Sequence, residues 1–175
     1  MTGLQVFGLI VLPLLTVVCS GVVSAIVTYK LNASKQEQAF RRDKLEVFYV
    51  AVHAFCTNLA TRGLRYLPVM RQEISYNAAL DMEIESAKEG WGRDAGQKAT
   101  MLVTIYFCDL QPALDELFRV RNDMNAVLEE HKAWYKKGNT DGMRFVEPLM
   151  KQLARLDVVE HRFDDLIKEQ AAKIG

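Results

Sequence analysis

The fold is decided by residues 112–163, which read PALDELFRVRNDMNAVLEEHKAWYKKGNTDGMRFVEPLMKQLARLDVVEHRF. Apolar side chains recur on both sides of the central GNTDG at steps of three and four residues, the spacing of one helix face. The first row is Leu114, Leu117, Arg121, Met124, Leu128, His131 and Tyr135, and the second is Val146, Leu149, Leu153, Leu156, Glu160, Phe163, Ile167, Gln170 and Ile174. Pro112 suits a first helical turn. The pattern predicts two long helices that fold back as an antiparallel hairpin.

Each row of this hairpin has a charged interruption, Arg121 in the first and Glu160 in the second. Folding the chain about residues 138–142 brings the two nearly level, so we expect them to form an ion pair. Such a pair contributes little net stability but can fix the register, and removing one partner costs roughly 3 to 5 kcal/mol where burial is deep. We interpret the pair as structural rather than as a proton-transfer site.

The helices before the hairpin follow from a similar argument. Leu45, Phe48, Val52, Phe55, Leu59 and Tyr66 again alternate steps of three and four, which predicts one long helix that ends at Leu67, before Pro68. Residues 70–89 have a weak stripe of Ile74, Leu80 and Ile84, typical of a partly exposed helix, with a break at residues 90–92.

Residues 100–108, TMLVTIYFC, have the composition of a strand. The chain offers no second strand to pair with, and a lone strand leaves its backbone groups unsatisfied. We therefore expect a fully buried helix over residues 94–109, with Asp94 as its cap. The fold class is all-α: a single N-terminal transmembrane helix followed by an antiparallel bundle of about four helices.

The transmembrane prediction rests on residues 4–29, a run of 26 residues without a charged side chain. As a helix, the run is about 39 Å long, enough to span a bilayer with some tilt. A cleaved signal peptide is the alternative, with a cleavage site near residues 23–25, but the N-terminus lacks the basic residues of a signal peptide.

Basic residues follow this run and none precedes it, which predicts that the C-terminal part lies in the cytoplasm, on the inner face of the cytoplasmic membrane. The same side chains can contact anionic lipid headgroups, although a topology signal alone is the alternative interpretation. They are Lys30, Lys35, Arg41, Arg42 and Lys44. The predicted organisation is an anchor at 1–29, a basic juxtamembrane helix at 30–44 and a cytoplasmic bundle at 45–175.

Small side chains recur within the anchor at a spacing of four residues, which would let a second helix approach closely. These are Gly21, Ser24, Ala25 and Thr28. They predict self-association in the membrane, so a homo-oligomer is expected.

No pattern of catalytic or ligand residues stands out. The chain has 22 basic and 22 acidic residues, which suggests no nucleic-acid partner. Its three cysteines lie far apart, so neither a disulfide framework nor a zinc site is expected. Residues 92–100 lack the order of a phosphate loop, and residues 137–148 would place a proline at the carboxylate position of a calcium loop. We expect no cofactor, no metal and no enzyme.

Trp91, between two glycines, is the aromatic residue most suited to an exposed partner contact, although it could equally cap the core. The sequence thus favours a membrane-tethered scaffold or adaptor that self-associates and binds a cytosolic protein. Two alternatives stay open: a membrane-disrupting effector or toxin, of the kind encoded beside a defence system, whose bundle is regulatory, and an enzyme whose site the sequence does not reveal.

Overall fold

A computed structural model describes the backbone of residues 3–88 and 94–174, and the side chains of residues 24–88 and 94–174. The described residues form helices and no strand, so the all-α prediction is confirmed. There are about five helices rather than four, with a short 3₁₀ turn at Cys108–Leu110. The helices are α1 (Gly3–Met70), α2 (Tyr76–Lys88), α3 (Ala95–Tyr106), α4 (Gln111–Lys136) and α5 (Met143–Ile174).

The chain divides into two compact units, one ending at Arg42 and one beginning at Asp43. In the first unit, the described residues belong to α1, and the side chains of residues 24–42 are exposed. The second unit is a helical bundle with one hydrophobic core. The boundary between the units lies close to residue 45, where the sequence places the start of the bundle.

The core of the bundle is built around Phe48 of α1, which is fully buried. Its ring centroid lies 5.8 Å from that of Phe107 and 6.1 Å from that of Phe163, so α1 packs against α5 and the segment after α3. Leu114 and Leu149, from the two rows of the hairpin, are also fully buried. The apolar rows read from the sequence therefore do form the core.

The helices α4 and α5 form the antiparallel hairpin, with Pro112 in the first turn of α4 as predicted. Helix α1 packs against both of them near Gly63. A methyl group on Gly63 would lie 2.9 Å from Met124 Cε and 3.0 Å from Leu153 Cδ2. Both atoms are the far ends of flexible side chains, so a larger residue at this position would be accommodated by shifts of Met124 and Leu153.

Helix α1 ends at Met70, not at Leu67, so the prediction that Pro68 stops it is wrong by about one turn. Proline disfavours the helical conformation in the preceding residue but does not forbid it. A Schellman-type cap closes the helix instead. The Glu73 amide donates to Pro68 O at 2.8 Å and the Gln72 amide donates to Val69 O at 3.0 Å, with Gln72 at a φ of 62°.

This cap delays the start of α2 to Tyr76. Of the expected stripe, Ile74 lies before the helix and packs against the core, whereas Leu80 and Ile84 do not. Tyr76 and Ala79 are buried, whereas Leu80 and Ile84 are exposed. The Ser75 Oγ accepts a hydrogen bond from the Ala78 amide at 3.1 Å, so Ser75 caps the helix.

Residues 95–106 are helical, as expected, but α3 is only half-buried. Ala99, Leu102 and Val103 face the core, while Met101 and Ile105 are exposed. Asp94 lies at the cap position, yet its side chain makes no capping hydrogen bond. The helix was predicted to be fully buried because its composition is apolar throughout, and composition does not show which faces have neighbours.

The predicted membrane anchor at 1–29 falls mostly on residues 1–23, whose side chains lie outside the described part of the chain. Gly21 is among them. Within the residues that are described, no helix combines the length and the apolar character needed to cross a membrane.

Candidate functional site

Residues 24–42, which we call the basic segment, carry most of the side chains expected to contact lipid. Every described side chain in it is exposed, including those of the small-residue face and of the headgroup set. These are Ser24, Ala25, Thr28, Lys30, Lys35, Arg41 and Arg42. Lys44, at the start of the bundle, is partly buried and its Nζ lies 3.6 Å from Asp43 Oδ2.

The basic segment exposes apolar surface as well as charge. It has four cations and one carboxylate, Glu37, which lies 3.1 Å from the Arg41 guanidinium. Ile26, Val27, Tyr29, Leu31 and Phe40 are each between 48% and 76% exposed. Contiguous exposed apolar surface beside charge is typical of protein surfaces that meet another protein or a membrane.

The predicted pair between Arg121 and Glu160 is replaced by two separate contacts. Arg121 donates to Asn122 Oδ1 at 2.9 and 3.1 Å, and its guanidinium carbon lies 4.8 Å from the Phe118 ring centroid. Glu160 Oε1 lies 2.9 Å from His53 Nδ1 on α1. The apolar rows identify the faces on which α4 and α5 meet, but they do not show which third helix packs on this pair. That helix is α1, and its His53 contacts Glu160.

The ion pair that joins the two hairpin helices is centred on Arg155. Its two terminal nitrogens donate to Glu116 Oε1 and Asp123 Oδ2, each at 2.8 Å. Residue 155 rather than 160 therefore lies opposite the part of α4 that contains Arg121. The Arg155 guanidinium lowers the pKa of Glu116.

His53 forms a polar cluster between α1 and α5. Besides Glu160, its Nε2 lies 3.8 Å from Asp164 Oδ1. Cys56, one turn along α1, is buried beside these carboxylates, and burial together with the charges of Glu160 and Asp164 raises the pKa of its thiol to about 12. A thiol held protonated is a poor nucleophile.

A second polar cluster joins α1 to α2 and α4. The Tyr66 hydroxyl donates to Glu83 Oε2 at 2.7 Å, and Arg62 Nε lies 3.2 Å from Glu83 Oε1. Arg62 Nη1 also donates to Asn125 Oδ1 at 3.0 Å. Burial and the bond to Glu83 raise the pKa of Tyr66, so its hydroxyl remains a donor at neutral pH.

His131 lies where the hairpin turn meets the end of α1. It is 1% exposed, and its ring centroid lies 5.4 Å from that of Phe145 and 6.0 Å from that of Tyr76. Its Nδ1 has no hydrogen-bond partner, and burial lowers its pKa. The neighbouring Gly142 amide donates to Met70 O at 3.1 Å.

A solvent-open cleft of about 340 Å³ lies beside the same turn, and we call it the turn cleft. Its lining residues come from the end of α4 and the start of α5: Glu130, Ala133, Trp134, Lys137, Arg144 and Phe145. The Arg144 guanidinium carbon lies 4.7 Å from the Trp134 ring centroid and 4.9 Å from that of Phe145.

Sequence reasoning missed the turn cleft because it placed Tyr135, not Trp134, in the first apolar row. A usable signal was present, since residues just before and just after a hairpin turn must meet in space. Trp134 and Lys137 precede the turn, and Arg144 and Phe145 follow it. Trp91, the aromatic contact proposed from the sequence, lies outside the described residues.

In the described part of the chain, no three His, Cys, Asp or Glu side chains are grouped so that they could hold a metal ion. The polar clusters described above link helices to one another, whereas the turn cleft and the basic segment each present both charge and apolar side chains. Comparison of the chain with family models, with curated proteins and with solved structures gave no match in any of the three.

Proposed function

We propose that this protein is a membrane-tethered helical interaction protein, a scaffold or adaptor that self-associates through its span and presents its bundle to a cytosolic protein. The observation that carries the proposal is the basic segment, in which exposed Ile26, Val27 and Tyr29 come first and the cations begin at Lys30. At the end of an uncharged run of 26 residues, this order is typical of a helix leaving a bilayer on its cytoplasmic side.

The bundle supports an interaction role over a catalytic one. His53, Arg62 and Arg155 are each engaged with carboxylates from another helix, so these groups hold the bundle together. An acid or base available for catalysis would need to face a cleft with a shifted pKa. The buried His131 has such a shift, but it is enclosed by rings and does not line the turn cleft.

The test compares the full chain with a version lacking residues 1–29 in a bacterial host. We expect the full chain to remain in membranes after a carbonate wash and the shortened chain to appear folded in the supernatant. Crosslinking should give oligomers of the full chain, and the membrane potential should be unchanged by either protein.

A third version, with residues 4–29 replaced by an unrelated apolar span, is the matched control. A tether keeps its location and its crosslinks to cytosolic proteins after this exchange, whereas the crosslinks between copies should be lost because self-association uses the small-residue face of the original span. Release of the full chain by carbonate would contradict the proposal. Depolarisation by the full chain alone would also contradict it and would favour a membrane-disrupting effector.

A further inference from the structure

The Arg144 side chain is held in place but its hydrogen-bonding groups are not used. The rings of Trp134 and Phe145 both lie within 5 Å of its guanidinium carbon, which is cation–π distance. Among the described residues, neither Arg144 nor Lys137 has a carboxylate within ion-pair distance, in contrast to Arg62 and Arg155. The turn cleft therefore has two cations without an anionic partner.

The aromatic wall of the turn cleft is also fixed. The Trp134 indole N–H donates to Asp141 O at 2.9 Å, and Asn139 Nδ2 donates to Trp134 O at 3.3 Å. These bonds tie the ring and the end of α4 to the turn. A wall that is already ordered loses little conformational entropy when a ligand binds, which favours affinity.

From this geometry we infer that the turn cleft binds an acidic segment of a partner protein, with a carboxylate on Arg144 and Lys137 and a neighbouring apolar side chain against Trp134 and Phe145. A planar guanidinium fits a carboxylate with two parallel hydrogen bonds. This inference rests on the proposed adaptor function and names the chemistry of its partner.

The chemistry of the lining favours a carboxylate over a polyphosphate. Glu130 belongs to the same lining and opposes a ligand of high negative charge. The volume of about 340 Å³ is at the small end of ligand pockets and suits one or two side chains. Because the cleft is open to solvent, a segment on a protein surface can reach it without local unfolding.

The binding test uses the full chain in nanodiscs of phosphatidylcholine, whose headgroups carry no net charge. The chain has two tryptophans, so Trp91→Phe leaves the fluorescence of Trp134 as the signal. The probes are acetyl-Leu-Glu-Leu-Glu-amide and the same peptide with Gln for Glu. We expect a saturable fluorescence change with the Glu peptide only, and at least fivefold weaker binding at 300 mM than at 50 mM salt.

Variants place the binding in the turn cleft. Arg144→Gln should weaken binding of the Glu peptide at least tenfold, and Lys137→Gln should weaken this binding severalfold. Lys151→Gln makes the same charge change on an exposed residue of α5 outside the lining, and it should bind as the parent does. Thermal unfolding of each variant checks that it is folded, and Lys137→Gln serves if Arg144→Gln does not fold.

Several results would overturn the inference: no saturable change with the Glu peptide, equal binding of the Gln peptide, or equal losses in Arg144→Gln and Lys151→Gln. Tighter binding of inorganic phosphate or ATP than of the Glu peptide would assign the turn cleft to a phosphate ligand instead. If the proposed membrane tether is wrong, the carbonate wash releases the full chain. If the inference about the turn cleft is wrong, the fluorescence titration shows it, so the two failures are distinguishable.

Discussion

Among the described residues, His131 is the polar side chain that is buried, with 1% of its surface exposed. Its ring is packed between Phe145 and Tyr76, and its Nδ1 finds no partner to support a positive charge. Burial is the cause of its lowered pKa, with no charged group contributing. The folded protein therefore holds this histidine neutral at pH values where the unfolded chain would protonate it.

The free energy of unfolding should consequently fall as the pH is lowered through 6.5, the ordinary pKa of histidine. Below that pH the unfolded state binds more protons than the folded state, so stability increases with pH by up to about 1.4 kcal/mol per pH unit until His131 is neutral in both states. His131→Phe removes the titration and should flatten this dependence, measured by urea unfolding between pH 5.5 and 7.5.

His161→Asn is the control for this experiment. His161 is exposed, and its bond to the Asp157 carbonyl raises its pKa, so its contribution has the opposite sign and is present at low pH. Its removal should not reduce the loss of stability in acid. An unchanged pH dependence in His131→Phe would show that other groups cause the loss.

At the scale of the elements, the end of α1 holds Gln72 in a backbone conformation that is energetically unfavourable for glutamine. Gln72 has a φ of 62°, in the left-handed region, and its amide and that of Glu73 close the last turn of the helix. The left-handed conformation costs an ordinary L-residue about 1 to 2 kcal/mol, and glycine is the usual residue there.

Gln72→Gly should therefore raise the free energy of unfolding by about 1 kcal/mol, because the strain is relieved while both backbone hydrogen bonds remain. Chemical unfolding of the full chain in one detergent measures the change. Gln72→Ala keeps the Cβ and should give no such gain. A glycine variant no more stable than the alanine variant would contradict the account of this cap.

How far each element could be predicted depends on what sets its boundaries. Helices α4 and α5 could be predicted from the sequence because their apolar rows are long. Pro112 marks the start of α4, and the GNTDG turn separates the two helices. The packing face of α2 did not follow, since its start is set by Gln72 in a conformation that the sequence does not signal. The side-chain contacts of Glu160 likewise depend on α1, which lies far away in sequence.

At the scale of the whole molecule, the compact unit that begins at Asp43 contains the hydrophobic core. The buried apolar residues of the described chain begin at Leu45, and Phe48 joins α1 to α5. Contacts that stabilise the bundle are thus supplied from within this unit. The turn cleft lies in the same unit, so its geometry also belongs to the bundle.

A chain of residues 43–175 should fold and melt within about 3 °C of the full chain in the same detergent, because it loses no described core contact. Circular dichroism at 222 nm is the measurement. A chain starting at residue 60 is the control, since it lacks Leu45, Phe48 and Val52 and should not fold. Loss of the cooperative transition in 43–175 would mean that earlier residues stabilise the core.

The contact between Gly142 and Met70 bears on the order in which the helices assemble. A side chain on Gly142 would lie 2.7 Å from Met70 Cα, so the turn meets the end of α1 backbone to backbone. Closing α4 on α5 requires only the short turn at residues 137–142, whereas this contact closes a loop of about 70 residues, which costs about 2 kcal/mol more in chain entropy. We therefore expect the hairpin to pair before the end of α1 docks on its turn, and hydrogen exchange should show the Gly142 amide becoming protected after the amides of α4 and α5.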